Sequence, residues 1–198
     1  NRCAQVVAKR EKYIYYWLVR TVRIVHHYRH KIDLGKRINL ELKSIPKEAF
    51  KDCLPLVCIK FSNSVTSIGN SAFYGCSSLK SVIIGNNTKS IGNYAFMGCS
   101  ALTSIDIPNS VITIGGDSFR QCSSLTSVTI PNSVQIVGDF SFRDDIGLSA
   151  VTFGSGVTSI GSNAFYGCKK LIDVKLPDGL TEISEKSFPI RITTTLKP

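Results

Sequence analysis

Apolar side chains recur along this chain every 23 residues, and the phenylalanines mark the interval most plainly: Phe50, Phe73, Phe96, Phe119, Phe142, Phe165 and Phe188. The columns around them keep step. An aliphatic residue opens each unit (Ile45, Ile68, Ile91, Ile114, Val137, Ile160, Ile183), and a small residue precedes each phenylalanine (Ala49, Ala72, Ala95, Ser118, Ser141, Ala164, Ser187). Cysteine follows at Cys53, Cys76, Cys99, Cys122 and Cys168, with Asp145 standing in the one remaining place. Three apolar columns close the unit, running from Leu56, Ile59 and Phe61 to Leu171, Val174 and Leu176. A fixed period of about 20–50 residues is the mark of a solenoid.

The spacing predicts the shape of each unit. Leu-x-x-Val-x-Ile places its last two apolar side chains on one face of a short strand, because strand side chains alternate. Turn chemistry follows at Pro108-Asn109-Ser110, Pro131-Asn132-Ser133 and Pro177-Asp178-Gly179, where proline fixes φ and Asn, Asp and Gly tolerate a reversing chain. A second apolar stretch such as Val65-Thr66-Ser67-Ile68 returns along the opposite side. The small-residue–phenylalanine pair is read as a short helical or 3₁₀ turn with the ring turned inward. One unit cannot bury its apolar side alone, whereas stacked units bury a continuous core. Six complete units fill 45–182 and a partial one occupies 183–198. The unit opening at Val137 departs from the pattern at Phe140, Ser141, Asp144, Asp145, Ile146 and Gly147, so an irregular loop is expected there.

The segment Ser67-Ile68-Gly69-Asn70-Ser71-Ala72-Phe73-Tyr74-Gly75-Cys76-Ser77-Ser78-Leu79 resembles the BspA-like, or treponemal-type, leucine-rich repeat, and the resemblance runs over about 45–188. It implies a curved stack with a parallel β-sheet on its concave face, used for protein recognition and adhesion, often on microbial surfaces. It carries over no catalytic residues, because the repeated motif consists of core positions.

Charge divides the chain near residue 37 into an N-terminal segment, 1–37, and the solenoid, 38–198. Residues 1–44 hold 11 Lys and Arg against 3 acids, while 45–198 hold 13 against 11. Within the first segment Val7, Ile14, Leu18, Val22 and Val25 share one helical stripe, and Lys9, Lys12, Arg20, Arg23, His27 and His30 share another. That pattern predicts an amphipathic helix, with a strand left open by the β-branched residues. A cap over the exposed end of the solenoid is one role. Docking through Arg20, Arg23, Arg29 and Lys31 onto an anionic membrane surface or nucleic acid is the other. No run of apolar residues is long enough for a transmembrane helix, since Arg20 and Arg23 interrupt the one candidate.

Catalytic and metal chemistry find little to work with. His26, His27 and His30 all lie in the N-terminal segment, which rules out a Ser-His-Asp triad inside the solenoid. His26 and His30 have a metal-compatible spacing but lack a Cys or carboxylate motif nearby. No phosphate-binding glycine loop occurs. Neither catalytic residues, a metal site nor a cofactor is expected. Asp144 and Asp145 are read as solvated loop acids. The five column cysteines read as unpaired core thiols, because the column demands a small, slightly polar hydrophobe; Cys3, and Cys58 on an outward strand position, are the reactive candidates. Asn86-Asn87-Thr88 is a glycosylation sequon with meaning only in a secreted protein.

Two surfaces remain as candidates for binding. On the concave strand face lie Lys60, Ile83, Asp106, Thr129, Thr152 and Lys175, flanked by Lys80, Thr103 and Thr126. They form a hydroxyl-rich face of mixed charge with no basic stripe, so nucleic acid is not expected on the solenoid. On the convex loops Tyr74, Met97, Arg120, Arg143 and Tyr166 follow the phenylalanines and supply the residue types of interface anchors. Beyond Phe188, residues 191–195 read as a final edge strand, a site for pairing with other chains. The expected function is a non-enzymatic protein–protein interaction module, either a surface adhesion protein or a scaffold subunit of an intracellular assembly. The resemblance favours the first compartment and the absence of a visible signal peptide the second.

Overall fold

Two short parallel ladders and one column of turns wrap a single apolar core, each unit adding one rung. The structure is a computed structural model that describes residues 43–189 except 55 and 185. The expected N-terminal helix, with Arg20, Arg23, Arg29 and Lys31, and the expected edge strand at 191–195 lie outside those residues. Strands β1 (Ser44–Ile45), β3 (Ser67–Ile68), β5 (Ser90–Ile91), β7 (Thr113–Ile114), β9 (Ile136–Val137), β11 (Ser159–Ile160) and β12 (Glu182–Ile183) form one seven-stranded sheet in that order. Every pair is parallel, and partners such as Ile45 and Ile68 stand one repeat apart. The returning stretch of each unit thus builds a sheet of its own.

The strands read from Leu-x-x-Val-x-Ile form the second ladder. Here β2 (Cys58–Lys60), β4 (Ser81–Ile83) and β6 (Ser104–Asp106) pair in sequence, and β8 (Ser127–Ile130) pairs with β10 (Ala150–Phe153). Alternation holds along them: Val82, Ile105 and Val128 are buried, while Ile83, Asp106 and Thr129 are exposed. Cys58 corrects the sequence reading. It pairs with Ser81 in the outward column, yet it is buried while Lys60, two positions on, is exposed, because alternation fixes which way a side chain points and not whether it meets solvent.

The small-residue–phenylalanine segment is not helical. Its backbone runs through consecutive turns in which alternate N–H groups do different things. Ser71, Phe73 and Gly75 donate to the carbonyls of Asn93, Ala95 and Met97 on the next rung at 2.7–2.8 Å, while Ala72, Tyr74 and Cys76 close back onto Gly69, Ser71 and Phe73. A left-handed residue interrupts each turn at two fixed places. One column is Glu48, Ser71, Tyr94, Asp117, Phe140, Asn163 and Lys186; the other is Asp52, Gly75, Gly98, Gln121, Asp144 and Gly167. A helix needs an unbroken right-handed run, and these residues deny it. The unit at Val137 keeps the same scheme, with Phe140, Phe142 and Asp144 donating to Ser162, Ala164 and Tyr166. Its loop is regular, contrary to the expectation, because the rung-to-rung bonds use backbone groups and do not depend on the altered side chains.

Phenylalanines fill the interior as a continuous stack. Successive rings from Phe50 to Phe188 lie 4.9–5.3 Å apart at interplanar angles of 2–11°. At that separation the parallel rings are offset rather than face to face, the arrangement their quadrupoles favour. The cysteines beside them are free and buried, and four donate their thiol to a phenylalanine carbonyl of the rung before.

Close rung contact leaves no room for side chains at one column of glycines. A Cβ on Gly92 would sit 2.7 Å from the Asn70 nitrogen and 2.8 Å from the Gly69 carbonyl carbon. Gly92→Ala is therefore expected to cost about 1–3 kcal/mol, the range for overpacking against atoms that cannot rotate away. A lowered urea midpoint with an unchanged slope is the expected readout.

Candidate binding surfaces

On the long-strand face, pairing fixes the side chains in rows. Lys60 stands beside Ile83 and Ile83 beside Asp106, and Thr129 stands beside Thr152. All five are exposed, as are Lys80, Thr103, Thr126, Ile172 and Lys175. Ile83 is 50% and Ile172 71% exposed, which gives a mainly polar face two apolar points. The flanking hydroxyls are partly committed: Thr103 Oγ1 donates to the Lys80 carbonyl at 3.4 Å, and Ser149 Oγ to the Thr126 carbonyl at 3.1 Å.

The turn column is organised differently. Tyr74, Met97, Arg120 and Arg143 are half-buried, and Tyr166 is exposed. Arg120 Nη1 lies 3.1 Å from Asp117 Oδ1, and its Nε lies 3.9 Å from Asp144 Oδ2. Arg143 Nε approaches the same Asp144 oxygen at 3.4 Å. The Arg143 guanidinium also lies 5.4 Å from the ring centres of both Phe140 and Tyr166, within cation–π range. Lys51 covers Tyr74 at 5.5 Å. The structure thus gathers Arg120, Arg143 and Tyr166 into one cluster with Asp117, Phe140 and Asp144, and places Tyr74 against Lys51 apart from it. The acids of this cluster were missed at the level of sequence, although Asp117 precedes Arg120 by three positions and Asp144 directly follows Arg143.

Asp145 is a second correction. It is completely buried rather than solvated, because its place in the unit is that of the inward cysteines. Its Oδ1 accepts the Cys122 N–H at 2.7 Å. Among the described residues no three His, Cys, Asp or Glu side chains could together hold a metal ion, and no helix is long and apolar enough to cross a membrane.

A repeating rung of this kind, with a strand face, a turn column and an inward phenylalanine–cysteine motif, defines a leucine-rich repeat protein. The family model for the BspA type leucine rich repeat region (6 copies) matches residues 43–171 and 113–195, and the chain belongs to that family. Solved structures agree. A leucine-rich repeat protein from Bacteroides ovatus is 35% identical, with 70% of this chain and 36% of that one covered at a TM-score of 0.67. A leucine rich cell surface protein from Faecalibacterium prausnitzii is 37% identical over 74% of this chain and 40% of its own, also at 0.67. The leucine rich repeat protein of T. pallidum is 32% identical over 78% and 67%, at 0.66. The chain thus spans well under half the length of the first two. No curated protein matches it in sequence. Leucine-rich repeat proteins are in general protein-interaction modules and are not typically enzymes.

Proposed function

We propose that this chain is a non-enzymatic recognition module that binds a protein partner at a cell surface through its long-strand face. The observation that carries the reading is the contrast between the two candidate surfaces. Lys60, Ile83 and Asp106 are exposed and held in register by one set of strand pairs, and Thr129 and Thr152 by another. In the turn column Arg120 and Arg143 are engaged with Asp117 and Asp144, and Arg143 also with Tyr166. A rigid row of side chains loses little conformational entropy on binding. The cell-surface setting of the Faecalibacterium relative supports the compartment.

Affinity capture from the native source, with Ile83→Asp and Thr129→Arg beside Arg143→Ala, tests the assignment. The two strand-face variants are expected to weaken capture by at least about tenfold, roughly 1.4 kcal/mol, and Arg143→Ala to leave it unchanged. The opposite pattern would move the site to the turn column. The net charge of +8 in residues 1–44 carries a second reading, attachment to an anionic membrane surface or nucleic acid. Capture that collapses steeply with rising salt and is lost with residues 1–37 would favour it, since phosphate contacts are released by counterions.

A further inference from the structure

Asp145 occupies the place where other rungs carry a cysteine, and the geometry of those rungs says what the place demands. Cys76, Cys99, Cys122 and Cys168 each donate their thiol to the phenylalanine carbonyl 26 residues earlier, at 3.0, 3.3, 3.3 and 3.1 Å. The residue 26 positions before Asp145 is Phe119. Its carbonyl accepts the Cys122 N–H at 3.1 Å, and no thiol reaches it from the next rung. Asp145 is wholly buried; Oδ1 takes the Cys122 N–H, and Oδ2 has no hydrogen-bond partner among the described residues. An ionised carboxylate here would leave a buried anionic oxygen unpaired beside a carbonyl that lacks the second donor its counterparts have, a costly arrangement.

We propose that Asp145 is a neutral carboxylic acid in the folded chain, its Oδ2–H donating to the Phe119 carbonyl, and that this proton forms a pH-sensitive lock between the fourth and fifth rungs. The groups facing it add no positive charge. Cys122 comes from the rung before, Cys168 from the rung after and Asp144 from its own turn, while Arg120 and Arg143 pair with Asp144. Burial, opposed by the Cys122 N–H and reinforced by Asp144, holds the Asp145 carboxyl well above the usual carboxylate range. The folded chain therefore grips this proton more tightly than the unfolded one. The stabilisation is complete below the ordinary carboxyl pKa of about 3.9 and is lost as pH rises through the folded value.

Urea unfolding of the wild type, Asp145→Asn and Asp145→Cys between about pH 5 and pH 7 tests the lock. Asparagine keeps the Oδ1 acceptor and supplies a donor that does not titrate in this range; cysteine restores the column thiol. The ratio of the wild-type unfolding constant to that of either variant is expected to rise with pH, by up to about tenfold per unit. A ratio flat across that range overturns the proposal. Should the asparagine variant not fold, the cysteine variant supplies the same comparison. Infrared spectra at neutral pH give an independent reading: a protonated-carboxyl band present in the wild type and lost in Asp145→Cys supports the lock, and its absence from the wild type overturns it.

Discussion

Replacing Phe119 by alanine is expected to lower the unfolding free energy by about 3–5 kcal/mol, the cost of emptying a ring-sized site in a packed core. The ring is fully buried and lies 5.3 Å from Phe96 on one side and 5.1 Å from Phe142 on the other. Collapse cannot readily close the gap, because backbone hydrogen bonds in the turn column and the short-strand sheet fix the spacing of the flanking rungs. Phe50 provides the contrast. It is 7% exposed, and among the described residues its stacked neighbour is Phe73 on one side. In a quasi-one-dimensional stack, stability is a sum of unit and interface contributions, so Phe50→Ala severs one ring interface where Phe119→Ala severs two. Urea midpoints of the two variants should differ clearly. Equal effects would mean that neighbour contacts do not govern this stack.

Alkaline unfolding is expected to be unusually steep. Burial raises the thiols of Cys53, Cys76, Cys99, Cys122 and Cys168, the Cys76 thiol to about 12. Neighbouring thiols add to this by disfavouring each other's ionisation, as Cys99 does that of Cys122. Each folded value lies above the ordinary thiol pKa of about 8.5, so each thiol binds its proton more tightly when folded. The stabilisation is present below that pH and disappears as pH climbs toward the folded values. Each such thiol multiplies the unfolding constant by up to about ten per pH unit, and their slopes add. Circular dichroism against pH should show a cooperative loss of structure above about pH 9. Cys99→Ala should make the transition measurably shallower. An unchanged slope would show that the column thiols do not drive it.

The period was legible because it restates itself in every unit: the columns of Ile68, Phe73, Cys76 and Leu79 are inward in each rung. The turn conformation was not. Its left-handed positions are held by residues such as Ser71, Tyr94 and Phe140, which announce no such backbone on their own. The rung-to-rung bonds impose it. Strands of two residues, as in Ser90–Ile91, are likewise too short to read without their neighbours above and below. For Asp145 two signals conflicted. Its chemistry and its neighbour Asp144 spoke for solvent, its column for the core, and the column prevailed because backbone position decides what a side chain faces. Sequence position located Arg120 and Arg143 in the turn column, but their pairing through Asp144 depends on a contact across a rung, 23 residues and more away in the general case of this fold.

The turn column also has a direction. The inter-rung backbone bonds flanking the phenylalanines run one way, from the N–H groups of each unit to the carbonyls of the next, as from Phe50 to Ala72, Phe73 to Ala95 and Phe96 to Ser118. Peptide dipoles aligned in this manner add rather than cancel, as they do along a helix axis, but here the axis is that of the stack and the contributing residues are a whole repeat apart. Such a ladder offers partial negative charge at its first rung and partial positive charge at its last. The two ends of the turn column are therefore chemically distinct: whatever continues or covers this column at the first rung must bring donors, and whatever meets it at the last must bring acceptors.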